Sequence, residues 1–255
     1  MFNVVRRELL GFLDAAAGLP KVLGQPTPGM TGIPFTGPRP TAPVAAPVVL
    51  VHGYLSTAAP WVPLVRRLHA EGFVNIYTLA YDSLSTGVPQ LAAELAGQVA
   101  AVRTLGHVHL VGHSLGGLVA RYAVQHLGLD RITRTVVTVA TPHRGSPLAW
   151  FGPGPAAAQL RPGSALLRDL PPLAATHQVR WAVLHAGADL VVPPPRPGEG
   201  RCLPGYGHHS ILSAPELADA VVTHLRSLEP APAVPEPGLG AVGGRPGSPV
   251  VELGA

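Results

Sequence analysis

Cysteine is almost absent from this chain. The lone Cys202 cannot form an internal disulfide, so nothing demands an oxidising compartment. Charge is sparse as well, at 13% of the 255 residues. The net charge is only +4 although the pI is near 9.7, and no basic run exceeds two residues. That leaves no continuous cationic stripe, and no nucleic-acid partner is expected. Twelve histidines are present, but neither an H-E-x-x-H nor a C-x-x-C spacing organises them, so neither metal nor cofactor is expected. No internal repeat is found. What the chain has in quantity is apolar residues (47%), enough to bury one sizeable core, together with thirty prolines and thirty glycines gathered in particular segments.

Those segments divide the chain. Residues 1–40 form a lead-in. Within it, Phe2, Val5, Leu9, Phe12, Leu13 and Ala16 share one face of an amphipathic helix over residues 1–19. Glu8 and Asp14 interrupt any signal-peptide core, and the stretch is too short and too charged to span a bilayer. It can dock on the domain or rest on a membrane surface, and both readings stay open. The expected location is cytoplasmic, with attachment to a membrane face as the variant. From residue 20 to residue 47 the chain reads as irregular. At the other end, residues 229–255 hold six prolines and six glycines without periodicity, the pattern of a disordered tail.

Residues 41–228 alternate apolar strands with helical stretches. Strands are expected at 48–51, 74–80, 107–111, 135–140 and 179–185, with a shorter one near 200–203. Helices are expected at 61–70, 88–103, after residue 114, and at 215–228. Near-continuous apolar strands separated by helices imply an α/β architecture. The expectation is a doubly wound, mostly parallel sheet of about six strands, with helices on both faces.

One corner of that sheet carries chemistry. Gly112-His113-Ser114-Leu115-Gly116-Gly117 lies between an apolar strand and a helix. Glycines around the serine permit a turn sharp enough to lift its hydroxyl clear of the backbone. The first turn of the helix aims unpaired N–H groups at the same point. With thirty glycines a G-x-S-x-G match can arise by chance, so the strand and helix on either side carry the argument.

A serine hydroxyl needs a base, and the base needs an orienting acid. In a doubly wound sheet the useful loops follow the carboxyl ends of strands. Asp189 stands in such a loop, whereas Asp82 precedes the serine, Asp130 lies at the far end of its helix, and Asp169 falls in a proline-rich insertion. Its plain alternative is an Asx turn. The base is ambiguous by one position. His208 is favoured over His209, because Ile211 and Leu212 lie three and four residues beyond it and would anchor the following segment. For an oxyanion, one N–H donor is expected from Leu115 and one from Tyr54, with Gly53 letting the backbone turn in. His52 is expected to brace that loop, Gly112 and Gly116 to shape the elbow, and His113 receives no role.

These pieces resemble a known group. Val51-His52-Gly53-Tyr54, the elbow at 112–117, and Ala140-Thr141-Pro142-His143-Arg144-Gly145-Ser146-Pro147 are similar to the bacterial lipase and esterase branch of the α/β-hydrolase superfamily. So are Pro162-Gly163-Ser164 with Leu166-Leu167, Asp189 with Val192-Pro193, and Gly207-His208 with Ile211-Leu212. The resemblance covers about residues 44–228. It implies an α/β-hydrolase fold, cleavage of lipid-like carboxylic esters through an acyl-enzyme on Ser114, and no metal in the chemical step. An acyltransferase or thioesterase using the same residues is the alternative, and a non-catalytic binding scaffold a remote one. Residues 146–176 interrupt the alternation with Leu148, Trp150, Phe151, Leu160, Leu166, Leu167 and Leu170. They can form a cap or acyl-binding wall, with contact to a lipid interface, or merely cover the sheet edge. Arg144, Arg161 and Arg168 can hold that segment or meet an anionic head group.

Overall fold

The computed structural model describes residues 29–34, 40, 43–102 and 106–227. The amphipathic helix expected over 1–19 and the tail at 229–255 lie outside the described residues. In chain order the elements are β1 (Gly29–Ile33), β2 (Val48–Val51), α1 (Val62–Ala70), β3 (Ile76–Ala80), α2 (Val88–Val102), β4 (Val108–His113), α3 (Leu115–His126) and β5 (Thr133–Val139). There follow α4 (Gly154–Gln159), α5 (Ala165–Asp169), β6 (Arg180–Ala186), β7 (Arg201–Leu203) and α6 (Pro215–Arg226).

The seven strands form one sheet in the order β1-β3-β2-β4-β5-β6-β7. Strands β2 to β7 are the six that the sequence pattern predicts, and all pair in parallel. The seventh corrects the expectation of an irregular lead-in before residue 41. β1 runs antiparallel along β3, pairing Gly29 with Ala80 and Ile33 with Ile76. Its sequence, GMTGI, holds two glycines and no apolar alternation, so nothing local marks it. An edge strand is held by backbone hydrogen bonds to its neighbour, which need no particular side chains.

Burial of both sheet faces explains the continuous apolar strands. Every residue of β2 and of β4 is buried. On one face Val48, Leu50, Val111, Val137 and Leu184 pack with α1 and α6, through Leu64, Leu68, Leu217 and Val221. On the other, Val49, Val51, Leu110 and Val136 pack with α2 and α3, through Leu91, Leu95, Leu118 and Val119. Successive strand residues point to opposite faces, so each strand feeds both layers.

The connection from β5 to β6 is made of short pieces rather than one crossover helix. Ser164 caps α5, its hydroxyl accepting from the Leu167 N–H at 3.3 Å. Gln159, at the end of α4, accepts the Val88 N–H at 2.6 Å and so ties the segment to the head of α2. Leu160, Leu166 and Leu170 are buried in the core, while Leu148, Trp150 and Phe151 face outward. Among the described residues no helix is long and apolar enough to cross a membrane.

Candidate active site

The elbow between β4 and α3 is strained, and its surroundings hold it so. Ser114 has φ 51° and ψ −121°, a region that side-chain-bearing residues rarely adopt. Its N–H is fixed to the Val139 carbonyl at 2.9 Å. The turn is possible because two glycines let backbone meet backbone. A Cβ on Gly112 would lie 2.6 Å from the carbonyl carbon of Gly116, and one on Gly116 would lie 2.1 Å from the Val51 oxygen. No side chain fits at either position.

Two loops converge on the hydroxyl. His208 Nε2 lies 3.0 Å from Ser114 Oγ, and His208 Nδ1 lies 2.9 Å from Asp189 Oδ2. A carboxylate only accepts, so the Nδ1 proton faces Asp189 and Nε2 is left to accept from the serine. Both side chains are enclosed, 3% and 5% exposed respectively. The other oxygen of Asp189 accepts the N–H groups of Val191 and Val192 at 2.8 Å each. The turn role and the orienting role therefore coexist in one carboxylate. Of the two adjacent histidines, the structure brings His208 onto Ser114. His209 stands beside it, ring centroids 5.1 Å apart and nearly perpendicular.

The loop after β2 passes against the serine. A Cβ on Gly53 would come within 3.2 Å of Ser114 Cβ and 3.1 Å of His113 Nδ1, so a side chain here would press on both. His52 Nδ1 lies 2.8 Å from the Gly53 carbonyl, and its ring stacks on Tyr81 at 4.0 Å. The Tyr81 hydroxyl donates to the His52 carbonyl, and Leu55 N–H donates to Ser83 Oγ at 2.8 Å. Burial drives the His52 pKa down to about 4, so it stays neutral. Tyr54 follows Gly53 in a turn, and its hydroxyl donates to the Pro153 carbonyl at 2.5 Å. Leu115 opens α3, where the first N–H groups have no acceptor inside the helix.

Sequence reasoning missed three supports. His113 Nε2 donates to the His208 carbonyl at 2.9 Å and so pins the backbone that carries the imidazole. Burial, with His208 and His209 close by, holds the His113 pKa well below its usual value, so no second cation forms there. Ser146 Oγ donates to the Val191 carbonyl and anchors the loop of Asp189. Tyr81 is the third. His113 lies inside the recognised motif, and its burial in β4 was the available signal; Ser146 and Tyr81 touch their partners only through the fold. Of the arginines in and beside the insertion, Arg144 pairs with Glu199 at 3.1 Å, and Arg161 lies 4.7 Å from the Trp150 ring centre. Among the described residues, no group of three His, Cys, Asp or Glu is placed to hold a metal ion.

A mostly parallel sheet with a serine elbow after its central strand, an acid loop after β6 and a histidine loop before α6 is the α/β-hydrolase fold. Comparison with known proteins agrees and adds relatives. The palmitoyl protein thioesterase family model matches residues 47–150. Triacylglycerol lipases of Pseudarthrobacter phenanthrenivorans and Burkholderia plantarii are each 31% identical to the chain over 115 residues. That segment is 41% of this chain but only 35% and 32% of the relatives, about a third of their length. Among solved structures, mature Bacillus licheniformis lipase BlEst2 superposes with a TM-score of 0.62 at 18% identity, covering 77% of this chain and 97% of that one. A Paleococcus ferrophilus monoacylglycerol lipase gives 0.54 at 18% identity, covering 79% and 99%.

Proposed function

We propose that this chain is a serine hydrolase that cleaves carboxylic esters of lipid-like acids through an acyl-enzyme on Ser114. The observation that carries the reading is the unbroken chain from Ser114 Oγ to His208 to Asp189, built on a strained elbow. In the first step His208 Nε2 takes the hydroxyl proton as Oγ attacks the ester carbonyl. The negative charge moves to the carbonyl oxygen, which the N–H groups of Tyr54 and Leu115 receive. As the tetrahedral intermediate collapses, the alkoxide leaves with the proton from His208. Water then repeats the cycle on the acyl-enzyme, releasing the acid and restoring Ser114. Asp189 holds the imidazole in the tautomer that this needs and stabilises the imidazolium between steps.

A lipid-like substrate is supported by the apolar surface beside the site. Leu148, Trp150 and Phe151 are 49%, 60% and 86% exposed, and Leu190, next to Asp189, is 73% exposed. Large side chains turned outward in one region mark a surface that meets apolar material. The similarity to triacylglycerol lipases points the same way. A second reading, thioester cleavage by the same residues, is favoured by the match to the thioesterase family.

The test is a panel of p-nitrophenyl esters from two to sixteen carbons, with emulsified triglyceride and palmitoyl-CoA alongside. Turnover of the esters that vanishes in Ser114→Ala supports the reading. Undiminished turnover in that variant overturns it, and turnover of palmitoyl-CoA alone selects the thioesterase.

A further inference from the structure

Behind the acid loop lies a cavity of about 630 Å³ that neither Ser114 nor His208 lines. It opens on the side of β6 that carries Val183 and His185, where the β5–β6 connection replaces a crossover helix. Its volume falls within the range of small-molecule sites, roughly 300–1,000 Å³. Most of the wall is apolar: Pro142, Pro147, Leu173, Val183 and Val192 contribute to it.

One wall carries a charge that the proposed chemistry does not use. Arg121, on α3, is only 7% exposed, and no carboxylate among the described residues lies within ion-pair distance of it. Its Nε donates to Gln125 at 3.0 Å, one terminal nitrogen to His143 Nδ1 at 3.2 Å, and the other to the Pro171 carbonyl at 2.6 Å. Each terminal nitrogen therefore keeps one N–H to give. His143 accepts from Arg121 at Nδ1, so its Nε2–H donates to Thr138 Oγ1, nitrogen to oxygen 3.1 Å. Burial and the neighbouring guanidinium push its pKa down to about 3, so the imidazole adds no charge. The Arg121 pKa is itself lowered by burial to about 10, which leaves it cationic at neutral pH. The two acids on the cavity wall are engaged elsewhere: Asp189 with His208 and Glu199 with Arg144. A second polar atom waits on the same wall, because His185 Nδ1 is buried with no hydrogen-bond partner.

A buried, uncompensated cation facing an apolar chamber is costly unless an anion enters. A carboxylate matches the two free N–H groups of a guanidinium, and a hydrocarbon chain matches the rest of the wall. We propose that this cavity binds an aliphatic monocarboxylate, held by Arg121, at a site separate from the cleft at Ser114. The site stands whether or not Ser114 is a nucleophile. It shares its wall with the Asp189 loop, so the occupant would rest against residues 192–195.

The test is calorimetric titration of octanoate into the full chain, before and after Ser114 is phosphonylated by a fluorophosphonate. Expected is one-to-one binding that survives phosphonylation and is at least tenfold tighter than that of 1-octanol. Arg121→Gln should weaken it at least tenfold. Ala174→Trp, which fills the cavity from an exposed position, should do the same and decides the matter if the Arg121 variant fails to fold. No binding, equal binding of the alcohol, loss on phosphonylation, or indifference to Ala174→Trp overturns the proposal. A failure to phosphonylate at all counts against the hydrolase reading alone, and the two cavity variants still decide this one.

Discussion

Replacing Asp189 by asparagine changes one atom and two proton positions, and the hydrogen bonds around it dictate the outcome. The wild-type carboxylate accepts on both sides: Oδ1 from Val191 and Val192, Oδ2 from His208. An asparagine must turn its amide nitrogen one way. If the nitrogen faced the loop, two half-buried N–H groups would lose their acceptor, at up to about 1–3 kcal/mol each. The carbonyl oxygen therefore stays on the loop and the NH2 faces His208. Nδ1 must then accept, the imidazole proton moves to Nε2, and Nε2 can no longer take the proton of Ser114. A wrong tautomer of this kind costs on the order of 10⁴-fold in kcat in serine proteases, about 5.4 kcal/mol at 1.36 kcal/mol per decade. Because the loop keeps its hydrogen bonds, stability should change by less than about 1 kcal/mol. The assay is steady-state hydrolysis of p-nitrophenyl butyrate with thermal unfolding measured in parallel. A kcat within tenfold of wild type, in a folded protein, would refute the argument that Asp189 sets the tautomer.

Three further outcomes are expected. Gly116→Ala places a methyl 2.1 Å from the Val51 oxygen and should abolish folding or cost more than about 4 kcal/mol, whereas Gly128→Ala, at φ 75° with open space around it, should cost only about 1 kcal/mol; chemical denaturation compares them. His52 and His113 are buried and His143 is half-buried, and all three are neutral with pKa values depressed below their unfolded value. The unfolded chain therefore binds the extra protons, and stability present above about pH 6.5 is lost as pH falls, by up to about 1.4 kcal/mol per unit for each. Urea midpoints between pH 7 and pH 4.5 should show this slope, reduced by close to one proton in His143→Gln; an unchanged slope would contradict it. Phe151→Ser, at an 86% exposed position, should leave hydrolysis of dissolved p-nitrophenyl acetate within twofold and lower the rate on emulsified triglyceride severalfold; equal losses on both would deny the apolar surface a part in meeting lipid.

Much of this molecule could be read from its residues, and the exceptions share a cause. The apolar runs at 48–51, 108–111 and 135–139 sit in strands buried on both faces, so burial itself writes the pattern. The elbow was legible because its glycines answer to steric contacts within a few residues. β1 was not, because Gly29 and Gly32 are held by the backbone of β3 rather than by their own preferences. The pieces inside 146–176 were equally hidden: α4 is placed by Gln159 reaching Val88, a contact across 71 positions. The choice of His208 over His209 rested on Ile211 and Leu212 as anchors, and both are buried. The bond from His113 to the next loop, and the solitary cation at Arg121, depend on what the fold brings near. No local spacing encodes them.

Tyr54 links two parts of the protein that sequence treats as independent. Its backbone belongs to the loop lying against Ser114, while its hydroxyl reaches across 99 positions to the carbonyl of Pro153. Anyone exchanging the 146–176 segment to alter which substrates enter would also be removing the far anchor of that loop. A graft that ignores the pair would then look like a failure of chemistry when the fault is mechanical. Positions 54 and 153 are best inherited together, or redesigned together, as a single part.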